Sequence, residues 1–147
     1  MPSDPKISVC IATYNRALRL KILIERFLEC PFPDFELIIS DDCSSDGTAD
    51  MVRAFSDPRI RFFRQEKNLG IHPNWDFTAR KAQAPLIFRI DDDDYVAPEF
   101  LGKVVDFFQR HPEAGSVYTG YAYTRAYDFT SSIQVVDHGV FEGREVA

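Results

Sequence analysis

One pattern recurs along this chain and constrains its fold more than any other feature: a short β-branched apolar run, a polar step, then an apolar stripe at helical spacing. Ile7-Ser8-Val9-Cys10-Ile11-Ala12 is almost unbroken apolar sequence, as a strand buried on both faces of a parallel sheet requires. Thr13-Tyr14-Asn15-Arg16 follows. Leu20, Leu23, Ile24, Phe27 and Leu28 then recur at i, i+3, i+4, i+7 and i+8, one face of a helix that Pro31 and Pro33 end. The unit repeats with a strand over residues 35–40, a polar turn over 41–48 and a helix over 49–55 stopped by Asp57-Pro58. A third strand over 60–64 alternates arginines with Ile60 and Phe62, so it reads as more exposed. Asn68-Leu69-Gly70 turns into a helix over 73–82 with Pro73 early in it, and 86–90 is a fourth strand. Pro98 opens a further helix in which Leu101, Val104, Val105 and Phe108 share a face, closed by His111-Pro112. Strands are also expected over 116–124 and 133–136, and a helix begins at 142–147. Strands alternating with helices imply an α/β fold, a mostly parallel sheet with right-handed crossovers.

A chain of 147 residues with 45% hydrophobic content can bury a continuous core, and no linker or repeat divides it before residue 125, so residues 1–147 are expected to form a single domain. The last element is cut short, which suggests a truncated, N-terminal piece of a longer protein. A net charge of -6 argues against a nucleic-acid partner, because phosphate contacts need a basic face. The apolar run 7–12 is too short for a signal peptide core or a membrane span, so a cytoplasmic domain is expected, at the cytoplasmic membrane face if the longer protein is anchored there. Cys10, Cys30 and Cys43 have neither disulfide-framework nor zinc-ligand spacing and read as three reduced thiols, Cys10 in the core.

In open α/β sheets, ligands bind beyond the carboxyl ends of the strands. Three polar clusters fall there: Thr13-Tyr14-Asn15-Arg16, then Asp41-Asp42-Cys43-Ser44-Ser45-Asp46, then Asp91-Asp92-Asp93-Asp94. Four adjacent carboxylates repel one another and call for a compensating cation or full solvation. Mg²⁺ or Mn²⁺ suits them, since such ions take one or two carboxylates and leave positions for phosphate oxygens. In an extended stretch Asp91 and Asp93 would share one side and Asp92 and Asp94 the other. The plainer alternative is a solvated acidic loop ahead of the Pro98 helix. An EF-hand is excluded: Val96 stands where that loop needs glycine and Gly102 where it needs glutamate. In the second cluster, helix capping accounts for the hydroxyls and Asp46 better than for Asp41-Asp42. In the first, Tyr14 can stack on a base and Arg16 can reach a phosphate, or Asn15 can act as an N-cap with Tyr14 as packing. No G-x-G-x-x-G or G-x-x-x-x-G-K-[ST] is present, so charge neutralisation of a phosphate ligand falls to a metal.

These residues together resemble the inverting glycosyltransferases of family two, which include bacterial polysaccharide and cell-wall synthases. The resemblance is carried by residues 7–16, by Phe35-Glu36-Leu37-Ile38-Ile39-Ser40-Asp41-Asp42-Cys43-Ser44-Ser45-Asp46-Gly47-Thr48, by Asn68-Leu69-Gly70, and by Ile90-Asp91-Asp92-Asp93-Asp94-Tyr95 with Pro98. It implies a GT-A, Rossmann-like fold and a nucleotide-sugar donor, most often a UDP-sugar, less commonly dTDP- or GDP-linked. It implies that Tyr14 stacks near the base beside Thr13, that Asp42 hydrogen-bonds the base, and that Arg16 lies near the diphosphate. Asp92 would touch ribose or phosphate, Asp93 would bind the metal, and Asp91 would be the other outer member of the D-x-D motif. Asn74-Trp75-Asp76 stands where many members carry Ala-Arg-Asn, so no arginine contact is carried over there. The general base of the family lies further along than Ala147, so the catalytic residue is unknown. The mechanism implied is metal-dependent displacement at the anomeric carbon by an acceptor hydroxyl, with inversion; the acceptor, whether carbohydrate, lipid-linked or protein, is not specified. Two other readings stand beside it. A nucleotidyltransferase would carry a Gly-rich basic loop after the first strand, unlike Thr13-Tyr14-Asn15-Arg16, and a donor-binding domain would hold the nucleotide without transfer.

Overall fold

The computed structural model describes residues 4–117. The chain divides into two compact units, residues 1–107 and 108–147. The strands expected over 116–124 and 133–136 and the helix at 142–147 lie outside the described residues, apart from 116 and 117, which form no strand.

Eight elements alternate: β1 (Ile7–Thr13), α1 (Ala17–Leu28), β2 (Phe35–Asp41), α2 (Thr48–Arg53), β3 (Ile60–Arg64), α3 (Ile71–Lys81), β4 (Leu86–Asp91) and α4 (Phe100–Arg110). The four strands are parallel, in the order β3-β2-β1-β4. The α/β reading from the apolar runs therefore holds, and burial follows position in the sheet. The inner strands β1 and β2 are buried almost throughout, whereas β3 is only partly covered and β4 alternates between covered and exposed residues.

The two faces of the sheet differ in chemistry. Ile7, Val9, Ile11, Leu37 and Ile39 share one core with the α1 stripe Leu20, Leu23, Ile24 and Phe27, with Val52 of α2 and with Leu101 and Val105 of α4. Each such side chain removed from water contributes about 1.5–3 kcal/mol. The intervening residues Ser8, Glu36 and Ser40 are polar and buried, and α3 covers both inner strands with Asn74 and Thr78 buried. Asn74 accepts from Ser40 Oγ at 2.5 Å and donates to the Ser40 carbonyl at 3.0 Å. That pairing gives Asn74 a structural task at the β2–α3 contact. Ser8 Oγ donates to Glu36 Oε1 at 2.6 Å, and Gln83 N donates to the same oxygen at 2.7 Å.

Two helices begin away from their expected starts. α3 starts two residues before Pro73, because Gly70, at φ 86°, makes the entry and Asn74 N closes the first turn on the Gly70 carbonyl. Proline is tolerated in that turn because its missing N–H has no intrahelical acceptor there. α4 starts at Phe100 rather than at Pro98, after a turn from Phe100 N to the Ala97 carbonyl.

Candidate functional site

The carboxyl ends of β1, β2 and β4 converge, and side chains lace their loops together. Thr13 ends β1, and its hydroxyl donates to Asp92 Oδ2 at 2.6 Å, across the β1–β4 pairing that runs to Ala12 and Asp91. Arg16 Nη1 donates to Asp92 Oδ1 at 2.9 Å and to Asp93 Oδ2 at 2.8 Å. Arg19, one turn along α1, donates to the same Asp93 oxygen at 3.0 Å. Asp92 is almost fully buried and both its oxygens are engaged, whereas Asp93 is one-third exposed. Burial pushes the Asp92 carboxyl up, against the pull of Thr13 and Arg16, and contact with Asp92 and then Asp93 raises Arg16 above the ordinary arginine range.

The acidic run is not extended. β4 ends at Asp91, and Asp94 N donates to the Asp91 carbonyl at 3.2 Å, so Asp92 and Asp93 lie in a turn. The expectation that alternate members face one side fails for that reason: neighbouring Asp92 and Asp93 share one guanidinium. Burial, then the charge of Asp91, then the charges of Asp93 and Asp92 push the Asp94 carboxyl up. Among the described residues no group of three His, Cys, Asp or Glu side chains could hold a metal alone. The donor set still fits Mg²⁺ or Mn²⁺, which need only one or two carboxylates when a diphosphate supplies the rest.

The β2 loop is joined to both its neighbours. Asn15 is not an N-cap; it takes φ 54°, and its Oδ1 accepts from Ser45 N while its own N–H donates to Ser44 Oγ, each at 2.8 Å. The N-terminus of α1 is capped across the gap instead, Ala17 N donating to Asp46 Oδ2 at 2.9 Å. The other oxygen of Asp46 accepts from Thr48 N and the Thr48 hydroxyl, so one carboxylate serves two helix starts. Burial opposes ionisation of Asp46, but the donors from Ala17 and Thr48 prevail and lower it below the ordinary range.

Asp41 and Asp42 divide their work. Asp42 Oδ1 accepts from Leu69 N at 2.7 Å and Oδ2 from Gly70 N at 2.9 Å, fastening the Asn68-Leu69-Gly70 turn to the end of β2. Asp41 Oδ1 accepts from Ser44 N at 3.0 Å; its buried Oδ2 has no hydrogen bond, and Arg64 Nε is 3.5 Å away. Tyr14, next in sequence to Thr13, is about half exposed. An open groove of about 820 Å³ runs past Phe63, Gln65, Leu69 and Phe77; it adjoins the turn that Asp42 holds but includes none of the acidic run.

Asp92 thus meets both Thr13 and Arg16, Arg16 also meets Asp93, and Asp91 is within electrostatic reach of Asp94; Asp42 is instead joined to the following turn. Sequence reasoning missed Arg19 and the cross-loop role of Asp46. The signal for Arg19 was its place in the first turn of the helix that follows the first strand-end cluster.

Residues 8–140 match the family model described as glycosyl transferase family 2. The chain is 32% identical over 123 residues to EpsE of Bacillus subtilis (strain 168), covering 82% of this chain and 44% of that protein. It is 33% identical over 105 residues to validoxylamine A glucosyltransferase of Streptomyces hygroscopicus subsp. jinggangensis, covering 69% of this chain and 25% of that one. It therefore spans less than half the length of either relative. Among solved structures it resembles S. aureus TarS 1-349 in complex with UDP-GlcNAc, with a TM-score of 0.69 and 27% identity over 73% of this chain and 32% of that one. The four-stranded parallel sheet with its flanking helices is accordingly the GT-A arrangement, and the chain belongs to glycosyl transferase family 2.

Proposed function

We propose that this chain binds a nucleotide-sugar donor, a UDP-sugar, at the carboxyl ends of β1, β2 and β4, for transfer of the sugar to an acceptor hydroxyl with inversion. The observation that carries the reading is the contact of Thr13 and Arg16 with Asp92 and Asp93 across the β1 and β4 ends. The UDP-GlcNAc bound to the similar TarS supports the choice of donor.

The roles are those that the family resemblance implies. Tyr14 presents an exposed ring on which a base can stack. Asp42 orders the Leu69–Gly70 backbone beside it, and we assign it a base contact through lone pairs those amides leave open. Asp92, which Thr13 and Arg16 hold at the strand end, is assigned to ribose or phosphate. Arg16 supplies positive charge for the diphosphate. Asp93, with Asp91, would hold Mn²⁺ or Mg²⁺, which when bound stabilises charge developing on the departing diphosphate. Acceptor deprotonation is assigned to none of the described residues. Three free cysteines suit the reducing cytoplasm, and no helix among the described residues is long and apolar enough to cross a membrane.

The test is a thermal-shift titration with UDP, GDP, dTDP and ADP, each with and without Mn²⁺, on this chain and on Asp93→Asn. Ligand at about 100 times Kd stabilises by ~2.7 kcal/mol, roughly 5 to 10 °C for a domain of this size. A shift with UDP and Mn²⁺ that the variant loses supports donor and metal together. Equal responses to all four nucleotides, or none, overturn the UDP assignment.

A further inference from the structure

Arg19 is assigned no role by the family resemblance, yet it occupies the carboxylate on which the metal proposal depends. Its Nη1 lies 3.0 Å from Asp93 Oδ2, the oxygen that Arg16 Nη1 also meets at 2.8 Å. Two guanidiniums on one oxygen repel each other, so the pair is held there by the acidic run rather than by mutual fit.

The two arginines are not held alike. Arg16 is tied to nearly buried Asp92 as well as to Asp93. Asp93 is the single hydrogen-bonded partner of Arg19 among the described residues, and the Arg19 side chain is more than half exposed. An exposed ion pair of this kind is weak and easily exchanged, whereas withdrawing Arg16 would leave the buried Asp92 carboxylate without its charged partner, which is costly. Arg19 is therefore the member of the pair that can yield.

We propose that Arg19 is an exchange residue for the donor: it neutralises Asp93 while the site is empty, releases it to a divalent cation, and then takes an oxygen of the donor diphosphate. The inference rests on the donor-site reading above. A cation held by Asp93 would keep the donor's phosphate oxygens close to that carboxylate, where the half-exposed Arg19 side chain already reaches. Arginine suits both partners because its fork of N–H donors matches carboxylate and phosphate oxygens alike. The consequence is ordered binding. A bare cation is opposed by Arg19 at Asp93, while a cation arriving with a diphosphate brings the acceptor that draws Arg19 away.

Arg19→Gln separates the two halves of the proposal by sign. Mn²⁺ binding to the nucleotide-free protein, followed by the electron paramagnetic resonance signal of free Mn²⁺, tightens roughly three- to fivefold in the variant, the size of one exposed charge pair. UDP binding at saturating Mn²⁺, followed by calorimetry, weakens about five- to tenfold because a charge-assisted phosphate contact is lost. Arg19→Lys keeps the positive charge and holds Mn²⁺ affinity near that of the parent chain. Unchanged Mn²⁺ affinity in Arg19→Gln, or UDP affinity that stays level or rises, overturns the exchange while leaving UDP–Mn²⁺ binding by the parent chain intact. Absence of UDP–Mn²⁺ binding in the parent chain overturns the donor-site reading itself, and the exchange with it.

Discussion

Thr13 Oγ1 stands 2.6 Å from Asp92 Oδ2, so the hydroxyl that ends β1 fixes the carboxylate that follows β4. Both residues are almost fully buried, and Thr13→Val leaves one carboxylate oxygen without its donor at little change in shape. The expected cost is about 1–3 kcal/mol, roughly 3 to 9 °C in Tm. Thermal unfolding of Thr13→Val beside Thr13→Ser checks it. The serine variant retains most of the stability because it keeps the hydroxyl, whereas equal losses in both would assign the effect to the methyl group instead.

Asp42 is expected to act through the turn it holds as well as through any nucleobase. Asp42→Asn replaces one acceptor oxygen with an NH₂ group facing a backbone N–H, which costs about 1–3 kcal/mol. Hydrogen exchange at the Leu69 and Gly70 amides should accelerate in the variant without any nucleotide present. Exchange that matches the parent chain would show that these two bonds do not order the turn.

How much of this was legible beforehand depended on the kind of signal. The β1 and β2 runs were readable because inner parallel strands need unbroken apolar sequence, β3 and β4 as short apolar runs bounded by turn residues, and α1 because its stripe repeats at 3.6 residues. The start of α3 was hidden behind Pro73, since the residue that sets it is Gly70 with its left-handed backbone. The acidic run was visible as a strand-end cluster, but the turn after Asp91 was not, and its geometry decided which aspartates meet Arg16. Asp46 was legible as a cap for its own helix. Its hold on Ala17 joins residues 29 apart in sequence, which no local pattern records.

Gly70 and Gly102 should respond to alanine with opposite signs. Gly70 holds φ 86° and ψ 164° with open space around a Cβ, so Gly70→Ala meets no clash but strains the backbone by about 1–3 kcal/mol. Gly102 lies inside α4, where a Cβ would make ordinary contact with Phe32 at 3.8 Å. Gly102→Ala should stabilise by about 0.5–1 kcal/mol through helix propensity. Urea unfolding of the two variants measures both, and a stabilised Gly70→Ala would contradict the backbone assignment.

Cys10 is closed to thiol chemistry by its place in β1. It is 1% exposed, and burial pushes its pKa up to about 11. At pH 8 only about one thiol in a thousand is then ionised, and the thiolate is the reactive form. Iodoacetamide at that pH should label the partly exposed Cys30 and Cys43 first, leaving Cys10 unmodified until the chain is unfolded. Labelling of Cys10 at the same rate as the other two, read by peptide mass, would show that the sheet opens locally at β1.

Glu36 should set part of the acid limit of stability. It is 4% exposed in β2 and accepts from Ser8 Oγ, from Gln83 N and from Arg61 Nη1. Burial alone would raise its pKa, but these donors together hold it below the ordinary glutamate range. A carboxyl lowered by folding contributes stability above its unfolded value of ~4.3, and that contribution is lost as pH falls through the lower folded value. Asp92 works in the opposite sense, because its pKa is raised and its ionisation weighs against the folded state. The Glu36 share is therefore read as the difference between the parent chain and Glu36→Gln, with Tm followed from pH 7 downward. The variant should be less stable at neutral pH, with the gap narrowing as pH drops below ~4.3 because protonated glutamate and glutamine then offer the same charge. A gap that stays constant across that range would mean that Arg61, Ser8 and Gln83 hold Glu36 by shape and not by its charge.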